Sequence, residues 1–481
     1  MPSRSFLTLF SERVKIQPDA PALSWGGQIV SYAELDWMVG SMSSAIAGLD
    51  LTQDAPVCVP ARKSPETIAL VIACLKAGHR VLLPSDLLGA DALAELCTQV
   101  GCTYVLSSRE NVRFTASLGR QPEPGELGLM LTTSGSTGSP KTVVLSAEGV
   151  DRFLSWGTSQ FGIKPGVIVL NYAPLNFDLC LLDIWATLAV GACAELVEQD
   201  KATDGTYLLD LCTRRALTVI QAVPMFYRLL ADAILDGRAF DSVEHVICTG
   251  DALPLKLLER LPRLFPQATL WNVYGCTETN DSFLHEVTVD EALAHGTVPI
   301  GRPITGVDAV IVDESGAIID GSGSGELLVT TPFQTRGYLD QQLNGERWRE
   351  GYFRTGDTVR RDENGLFFLI GRNDYHVKVR GVRTNLQEVE RVILDHLDVL
   401  EAAVVAVPDE IAGHLLHVVV RRRPYSGLNS IQLRAHSAAK LPRTAVPSVV
   451  EIVDHALPRT STGKIDRNVV RAYREKMQLV G

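Results

Sequence analysis

A loop rich in glycine and hydroxyl side chains carries the clearest chemical signal in this chain. Residues 131–141 read Leu-Thr-Thr-Ser-Gly-Ser-Thr-Gly-Ser-Pro-Lys. Glycine N–H groups, short hydroxyls and the ammonium of Lys141 suit the oxygens of a polyphosphate, although a flexible surface hairpin is an alternative. The glycine spacing differs from that of a Walker loop, and the apolar flank at 127–132 and β-branched flank at 142–146 predict a loop between two strands. We expect phosphate contacts from Thr133, Ser134, Gly135, Ser136, Thr137, Gly138 and Lys141.

Four charged residues elsewhere lie in glycine-containing turns or loops. Glu278 follows Tyr-Gly-Cys-Thr, and a carboxylate beside a phosphate loop is a natural ligand of Mg²⁺, directly or through water. Asp357 could accept hydrogen bonds from the hydroxyls of a ribose, and Arg372 could donate to those hydroxyls or to phosphate. Lys464 lies in a loop of small residues that could reach into a site built by the rest of the chain. Each segment alone is more simply a solvated turn, so the argument depends on the whole set.

Composition narrows the classes of partner. The chain has 481 residues, 46% hydrophobic and 21% charged, as expected for a globular protein of about three domains. A net charge of −11 argues against non-specific binding of nucleic acid and against an anionic membrane surface. The nine cysteines form no CxxC pair, and no apolar run is long enough to span a bilayer. The sequence therefore predicts a cytoplasmic protein with reduced thiols and no nucleic-acid or membrane partner, in which Mg²⁺ helps to bind an anionic nucleotide.

Strand and helix patterns alternate through the first part of the chain. Apolar periodicity predicts helices at 66–76, 179–188 and 208–215, with short buried strands between them. The strands are expected at 81–84, 167–170, 194–197 and 217–222. Alternation at this spacing is typical of parallel sheets covered by helices.

The pattern of predicted helices and strands changes after about residue 290. Short strands separated by Gly, Asp and Asn turns predict an antiparallel subdomain at about 290–370. Beyond a break at 371–374, the remaining chain is long enough to fold as a domain of its own. We therefore predict an α/β protein with a large N-terminal domain of parallel-rich sheets at 1–373 and a small α+β domain at 374–481.

Taken in order, these segments resemble the adenylate-forming superfamily of acyl-CoA synthetases, luciferases and non-ribosomal peptide synthetase adenylation domains. The resemblance implies that a carboxylate attacks the α-phosphorus of ATP, that pyrophosphate leaves, and that the acyl-adenylate is passed to a thiol. ATP and Mg²⁺ are the implied cofactors. The matching segments span nearly the whole chain and lie at 32–35, 75–78, 131–141, 274–278, 325–328, 336–338, 354–357, 371–381 and 462–464.

The resemblance also assigns roles to individual residues. It implies that Lys464 bridges the substrate carboxylate and the α-phosphate, and that Glu278 binds the metal ion. Asp374 corresponds to a hinge about which the C-terminal domain swings, which would replace Lys464 by Lys378 on the side where the thiol enters. Nucleotide contacts are implied for Tyr274, Gly275, Thr277, Asp357 and Arg372.

Asp178 separates two subfamilies. In amino-acid adenylation domains an Asp at this position pairs with the α-ammonium of the substrate, whereas a coenzyme A ligase for a plain carboxylic acid does not need it. A buried carboxylate is costly unless it is paired, which favours a cationic substrate. Two alternatives stay open: Asp178 caps a helix that begins at Leu179, or the chain is an acyl-CoA ligase for a small acid.

The side-chain pocket leaves the amino acid open. Alignment on the motifs predicts a pocket in which Leu179 and Leu182 look like those of prolyl-activating enzymes. Gln221, Asp281 and Ser282 depart from that likeness and favour a polar or basic side chain, or a second amine. L-Proline and a small polar or basic amino acid are thus both considered. The predicted pocket consists of Phe177, Asp178, Leu179, Leu182, Gln221, Ile247, Thr249, Val273, Asp281 and Ser282.

The ends of the chain carry a further expectation. Residues 465–481 contain no carrier-protein attachment motif, and no condensation-like segment precedes residue 1. We therefore expect a stand-alone enzyme of secondary metabolite biosynthesis, a monomer or weak dimer. Its product would go to the phosphopantetheine arm of a carrier protein supplied in trans.

Overall fold

The structure is a computed structural model that describes residues 5–52, 55–107, 111–113, 128–133, 141–379, 382–409, 413–459 and 465–480. The chain divides into two compact units. The first comprises Met1–Ala309, Val329–Phe353 and Leu366–Phe368, and the second comprises Val310–Leu328, Arg354–Gly365 and Leu369–Gly481. The predicted functional boundary between residues 373 and 374 stays a prediction.

Helices occur in both units. A π-helix at Leu181–Ala186 and short 3₁₀ helices at Gln199–Lys201 and Asn373–Tyr375 accompany the α-helices. The α-helices of the described residues are α1 Phe6–Ile16, α2 Tyr32–Ala47, α3 Pro65–Lys76, α4 Ala90–Val100, α5 Ala147–Gln160, α6 Thr187–Val190, α7 Gly205–Arg214, α8 Pro224–Ala233, α9 Leu255–Leu258, α10 Leu261–Leu264, α11 Val289–His295, α12 Gln341–Arg347, α13 Leu386–Leu394, α14 Ser430–Lys440 and α15 Arg467–Val480.

Most strands are short. They are β1 Pro21–Trp25, β2 Gln28–Ser31, β3 Val57–Cys58, β4 Val81–Leu83, β5 Tyr104–Leu106, β6 Asn111–Arg113, β7 Leu129–Thr133, β8 Lys141–Val144, β9 Ile168–Asn171, β10 Cys193–Leu196, β11 Val219–Ala222, β12 His245–Thr249, β13 Thr269–Cys276, β14 Asn280–Glu286, β15 Arg302–Pro303, β16 Asp308–Val312, β17 Gly323–Thr330, β18 Trp348–Arg349, β19 Tyr352–Arg361, β20 Phe367–Arg372, β21 His376–Val379, β22 Val382–Asn385, β23 Val399–Asp409, β24 Gly413–Arg422 and β25 Val449–Val453.

Two mixed sheets organise the first unit. The larger has nine strands in the order β15-β14-β13-β12-β11-β9-β10-β1-β2, and its central pairs from β13 to β1 are parallel. The smaller has six strands in the order β6-β5-β3-β4-β7-β8, with antiparallel pairs at its two edges. The prediction of parallel-rich sheets covered by helices is therefore confirmed.

Helix α3 illustrates how the sequence sets this architecture. Ser64 caps it by accepting a hydrogen bond from the N–H of Thr67, and Pro65 occupies the first turn, where its missing N–H costs nothing. Every residue from Thr67 to Leu75 is buried. A helix that is apolar all round must be covered on all sides, so α3 packs inside the first unit, as the broad apolar pattern at 66–76 predicts.

Three further groups of strands complete the fold. A five-stranded sheet contains β16, β17, β19, β18 and β20, in the region predicted to form the antiparallel subdomain. The hairpin of β21 and β22 and the sheet of β23, β24 and β25 follow, with α13 and α14 contributing to the core of the second unit. In the described residues beyond 376, the chain forms strands β21 to β25 and helices α13 to α15, a mixture of helices and strands as predicted for this region.

Candidate functional site

The predicted phosphate loop connects an antiparallel pair of strands. β7 ends at Thr133 and β8 begins at Lys141, and these two residues are partners in the strand register. The expectation that this loop joins two strands is therefore confirmed. The five predicted phosphate contacts between them, Ser134, Gly135, Ser136, Thr137 and Gly138, lie outside the described residues.

Lys141 and Glu278 both contact the side chain of Tyr338. The Nζ atom of Lys141 lies 5.5 Å from the centre of the Tyr338 ring, within the range of a cation–π contact. The Tyr338 hydroxyl donates a hydrogen bond of 2.5 Å to the Oε1 atom of Glu278. Glu278 lies in the turn after β13 and is buried. Two residues that the sequence predicted to bind one nucleotide thus share a single neighbour.

Tyr338 belongs to a segment that joins the two sheets of the first unit. At one end, the N–H of Val144 donates to the carbonyl of Gly337 and the N–H of Leu339 donates to the carbonyl of Thr142, so residues 336–339 extend the six-stranded sheet. At the other end, the N–H and the Oγ1 of Thr335 both donate to the carbonyl of Glu278, at 3.0 Å each. We call residues 331–339 the joining segment.

The joining segment was missed as a functional element by sequence reasoning. Its signal was present, because Arg-Gly-Tyr at 336–338 is one of the motifs that carried the family resemblance. Gly337 has φ of 99°, in the left-handed region that favours glycine, and its position leaves no room for a side chain beside Asn344. The glycine lets the chain turn so that Tyr338 points at Glu278.

Asp357 and Arg372, the predicted ribose and phosphate contacts, are paired in the second unit. The Nη1 atom of Arg372 lies 3.3 Å from the Oδ1 atom of Asp357. Asp357 is buried, and its N–H donates to the hydroxyl of Thr355. The structure therefore brings these two residues together, as expected if both contact the same part of a ligand.

The predicted substrate pocket lies at the carboxyl ends of parallel strands. Gln221 in β11 pairs with Ile247 in β12, and Thr249 in β12 pairs with Val273 in β13. In sheets of this kind, ligands bind at the carboxyl ends of the strands. Phe177 and Leu179 are partly buried against the core, and Leu182 is fully buried.

Two of the residues predicted for this pocket are carboxylates. Asp178 lies in the turn after β9, and Asp281 is the second residue of β14, opposite Gly275. Burial raises the pKa of Asp281 to about 8, and the negative charge of Asp178 contributes to that rise. The two acids are therefore close enough to repel each other, and a cation between them would relieve the repulsion.

Asp178 is not the N-cap residue of the helix that follows it. The π-helix Leu181–Ala186 has Cys180 as its N-cap residue, and the Cys180 side chain forms no capping hydrogen bond. The predicted helix at 179–188 is this π-helix followed by α6. π-Helical turns are rare and occur frequently at functional sites.

The remaining predicted residues differ in how much of their structure is described. Tyr274, Gly275 and Thr277 lie at the end of β13 and in the turn that carries Glu278, and Ser282 is buried, with its hydroxyl donating to the carbonyl of Asn280. Lys464 lies outside the described residues. Asp374 and Lys378 belong to a 3₁₀ helix and to β21 by their backbone, and their side chains are not described.

The described ranges hold no group of three or more His, Cys, Asp or Glu side chains suited to a metal ion. Glu278 is nevertheless suited to a different type of metal site. Mg²⁺ is usually held by one or two carboxylates together with phosphate oxygens and water. Among the described helices, none is long and apolar enough to cross a membrane.

The fold is α/β, with two mixed sheets in the first unit, and the residues predicted to bind a nucleotide and a substrate lie beside those sheets. A family profile of AMP-binding enzymes matches residues 10–121 and 110–339, and the profile of their C-terminal domain matches residues 388–464. The chain belongs to the AMP-binding enzyme family, within the adenylate-forming superfamily, and is a ligase. The resemblance derived from the motifs is confirmed.

Similar proteins include two carrier-protein ligases. An L-proline–[L-prolyl-carrier protein] ligase of Pseudomonas fluorescens is 30% identical over 470 residues, covering 91% of this chain and 93% of that protein. A D-alanine–D-alanyl carrier protein ligase of Bacillus licheniformis is 27% identical and covers 94% of this chain and 96% of that protein. The crystal structure of ATP-bound MatB from Rhodopseudomonas palustris shares the fold, with a TM-score of 0.82 at 22% identity, covering 98% of this chain and 99% of that one.

Proposed function

We propose that this enzyme activates an amino acid with ATP as the aminoacyl-adenylate, releases pyrophosphate, and transfers the aminoacyl group to the phosphopantetheine thiol of a carrier protein. The observation that carries the proposal is the pair Asp178 and Asp281 in a pocket at strand ends. The names of the prolyl- and D-alanyl-carrier protein ligases support the same class of reaction.

The first half-reaction is a displacement at phosphorus. An oxygen of the substrate carboxylate attacks the α-phosphorus, the bond to the bridging oxygen breaks, and pyrophosphate leaves. Such a step requires positioning and neutralisation of charge more than covalent help from the protein. In the proposal, Lys141 and the loop 134–138 hold the phosphates, Lys464 lies between the carboxylate and the α-phosphate, and Asp357 with Arg372 holds the ribose.

Glu278 would hold Mg²⁺, which supplies positive charge to the departing pyrophosphate. The side chain is suited to this role because it is buried and held in one orientation by Tyr338. A carboxylate fixed in this way loses little freedom when it binds an ion.

The amino group of the substrate is recognised separately from its carboxylate. An ammonium that leaves water in the pocket needs a compensating negative charge, and Asp178 supplies it. Asp281 gives the pocket a second acidic group. A second amine or a basic side chain would satisfy it as a cation, and the protonated acid could donate to a polar side chain instead.

The second half-reaction needs a different arrangement of residues. The thiolate attacks the carbonyl carbon of the adenylate, the bond to the phosphate oxygen breaks, and AMP leaves. We propose that Asp374 is the hinge of the C-terminal domain, which removes Lys464 from the site and brings Lys378 to the side of the thiol.

The exchange of labelled pyrophosphate into ATP tests the proposal. We expect exchange with one or a few amino acids, chosen from L-proline and small polar or basic amino acids, and little exchange with the acids that lack the amine. A preference for a deaminated acid would instead support the alternative, an acyl-CoA ligase for a small carboxylic acid. Transfer to a carrier protein or to coenzyme A is then followed by mass spectrometry of the acceptor.

A further inference from the structure

Gln221 was predicted to contact the substrate, but its surroundings assign it a different task. We propose that Gln221, held by the buried carboxylate of Asp183, is a positioning residue that fixes the turn carrying Asp178. This inference rests on the proposed function, since it assumes that Asp178 binds the substrate ammonium.

The amide nitrogen of Gln221 is committed to acceptors in the protein. It donates to the carbonyl of Leu179 at 3.0 Å and to the Oδ1 atom of Asp183 at 2.9 Å. Gln221 is only 2% exposed. Leu179 directly follows Asp178, so one of these bonds fixes the backbone beside the residue that would meet the ammonium.

Asp183 is the anchor of this arrangement. It is fully buried in the π-helix and accepts a second hydrogen bond, 3.2 Å long, from the amide nitrogen of Asn171 at the end of β9. A carboxylate can accept several hydrogen bonds at once, whereas an amide of the same shape has one oxygen. The Asp183 side chain therefore joins β9 and β11, and Gln221 in turn links Asp183 to the Asp178 turn.

Lys63 supplies a nearby positive charge. It is buried, and its Nζ donates to the carbonyls of Asn171 and Tyr172 at 3.2 and 3.1 Å. Burial lowers the pKa of Lys63 to about 8, and the negative charge of Asp183 opposes that change. Burial likewise raises the pKa of Asp183, while the Asn171 amide, Lys63 and the Gln221 amide act to lower it. A buried charge with these partners is better tolerated than an isolated one.

A positioning role and a substrate contact predict different patterns of loss. If Gln221 contacts the side chain of the substrate, its removal changes which amino acid is preferred. If it positions the Asp178 turn, its removal weakens every amino acid in parallel and leaves acids without the amine unaffected. ATP binding should not change in the second case.

Gln221→Met tests this distinction, because methionine keeps the length of the side chain and removes the donors. We expect the KM of every accepted amino acid to rise about fivefold or more in pyrophosphate exchange, as one or two lost hydrogen bonds would give. The order of preference, the KM for ATP and the activity with deaminated acids should stay as in the wild type. A changed order of preference would overturn the positioning role.

Tyr32→Phe is the matched control. The buried Tyr32 hydroxyl donates to the carbonyls of Leu188 and Ala192, at 3.1 and 2.8 Å, and neither of these residues is a partner of Asp183 or Gln221. Its loss removes a buried hydrogen bond and should lower the unfolding midpoint in urea without raising the KM for amino acids. An equal rise in KM for the control would mean that general loosening, not positioning, explains the effect of Gln221→Met.

Asp183→Asn completes a double-mutant cycle. If Asp183 acts through Gln221, the double variant should have nearly the same KM for amino acids as Gln221→Met alone. Independent, multiplying effects would contradict the proposal. If Asp183→Asn does not fold, Gln221→Met and its control decide the question. A wild-type enzyme that prefers deaminated acids refutes the proposed function itself, whatever Gln221→Met does.

Discussion

At the scale of residues, the predicted substrate pocket contains two acids in different environments. Asp178 and Asp281 come from separate elements, the turn after β9 and strand β14, and meet only in the folded chain. Burial and the neighbouring charge favour the protonated form of Asp281 and raise its pKa to about 8. In the absence of a cation, Asp281 is therefore mostly protonated at neutral pH, and a cationic group on the substrate would favour its ionised form.

Asp281 should make the free enzyme less stable as the pH rises. Its pKa is higher in the folded chain than in the unfolded chain, so ionisation favours unfolding between pH 4 and 8, roughly the interval between the two pKa values. Asp281→Asn removes this effect. We expect its free energy of unfolding relative to wild type to increase by about 3–4 kcal/mol from pH 5 to pH 8, measured in urea.

Asp313→Asn is the control for this pH dependence. Hydrogen bonds from Ser315 and the N–H of Ala317 lower the pKa of Asp313, so that group is ionised in both states above pH 5. Its substitution should have the same effect on stability at pH 5 and pH 8. If the difference in free energy of unfolding between wild type and Asp281→Asn is also constant with pH, the pKa of Asp281 is not raised by folding.

At the scale of elements, the joining segment connects residues that separate motifs predicted. Sequence motifs predicted Lys141 and Glu278 as parts of one nucleotide site, and the fold follows from apolar periodicity and turn residues. The hydrogen bonds of Thr335 to the Glu278 carbonyl, and of Tyr338 to its carboxylate, link residues more than fifty positions apart. Periodicity is local, so it predicts α3 well and cannot predict such pairings.

The same limit explains why the hydrogen bonds between Gln221 and Asp183 were not predicted from the sequence. Alignment on the motifs predicts that Gln221 lies at a strand end, near the substrate. An alignment does not show which groups the side chain of Gln221 is hydrogen-bonded to. Asp183, the one charged residue in an otherwise apolar stretch at 179–188, was a signal that sequence reasoning did not use. Its two amide partners come from different strands, and only the folded sheet brings them together.

Tyr338→Phe should weaken the use of Mg²⁺ while the fold persists. Phenylalanine keeps the ring beneath Lys141 and removes the hydroxyl that orients Glu278. Because a hydrogen bond to a charged group contributes about 1.5–3 kcal/mol, we expect the Mg²⁺ concentration for half-maximal ATP binding to rise about tenfold or more. Calorimetric titration of ATP at several Mg²⁺ concentrations measures this without turnover.

Tyr352→Phe is the matched control, since the Tyr352 hydroxyl donates to Asp308 at a surface site in the same unit. The same chemical change there should leave the Mg²⁺ requirement unaltered. If both variants behave alike, or if Tyr338→Phe binds ATP as the wild type does, Tyr338 does not orient the metal ligand.

At the scale of the whole molecule, the chain divides its predicted functions between two units. The acidic pocket and the Lys141–Tyr338–Glu278 group belong to the first unit, and the Asp357–Arg372 pair belongs to the second. The proposed hinge at Asp374 is also in the second unit, whereas Lys464 lies outside the described residues. The proposed two-step reaction with one mobile domain would need such a division, because in that proposal each step uses a different lysine.

Lys464→Ala should separate the two half-reactions. In the proposed mechanism its charge is needed only while the adenylate forms, and the loss of such a group costs about 3 kcal/mol or more. Adenylate formation should therefore slow by at least about a hundredfold, while transfer from preformed adenylate to the thiol is nearly unchanged. Rapid-quench measurement of each step decides it, and equal loss in both would contradict the assigned role.

The central claim is that Asp178 recognises the amine of an amino acid, and Asp178→Asn tests it most directly. The substitution keeps the size of the side chain and removes its charge, which leaves a desolvated ammonium without its partner, at a cost of about 3–5 kcal/mol. Pyrophosphate exchange is measured with the preferred amino acid and with the same acid lacking the amine, for both proteins. We expect kcat/KM for the amino acid to fall at least about a hundredfold, with the KM for ATP unchanged and activity with the deaminated acid unchanged or improved. A wild-type preference for the deaminated acid, or a preference that Asp178→Asn leaves unmoved, would contradict the account.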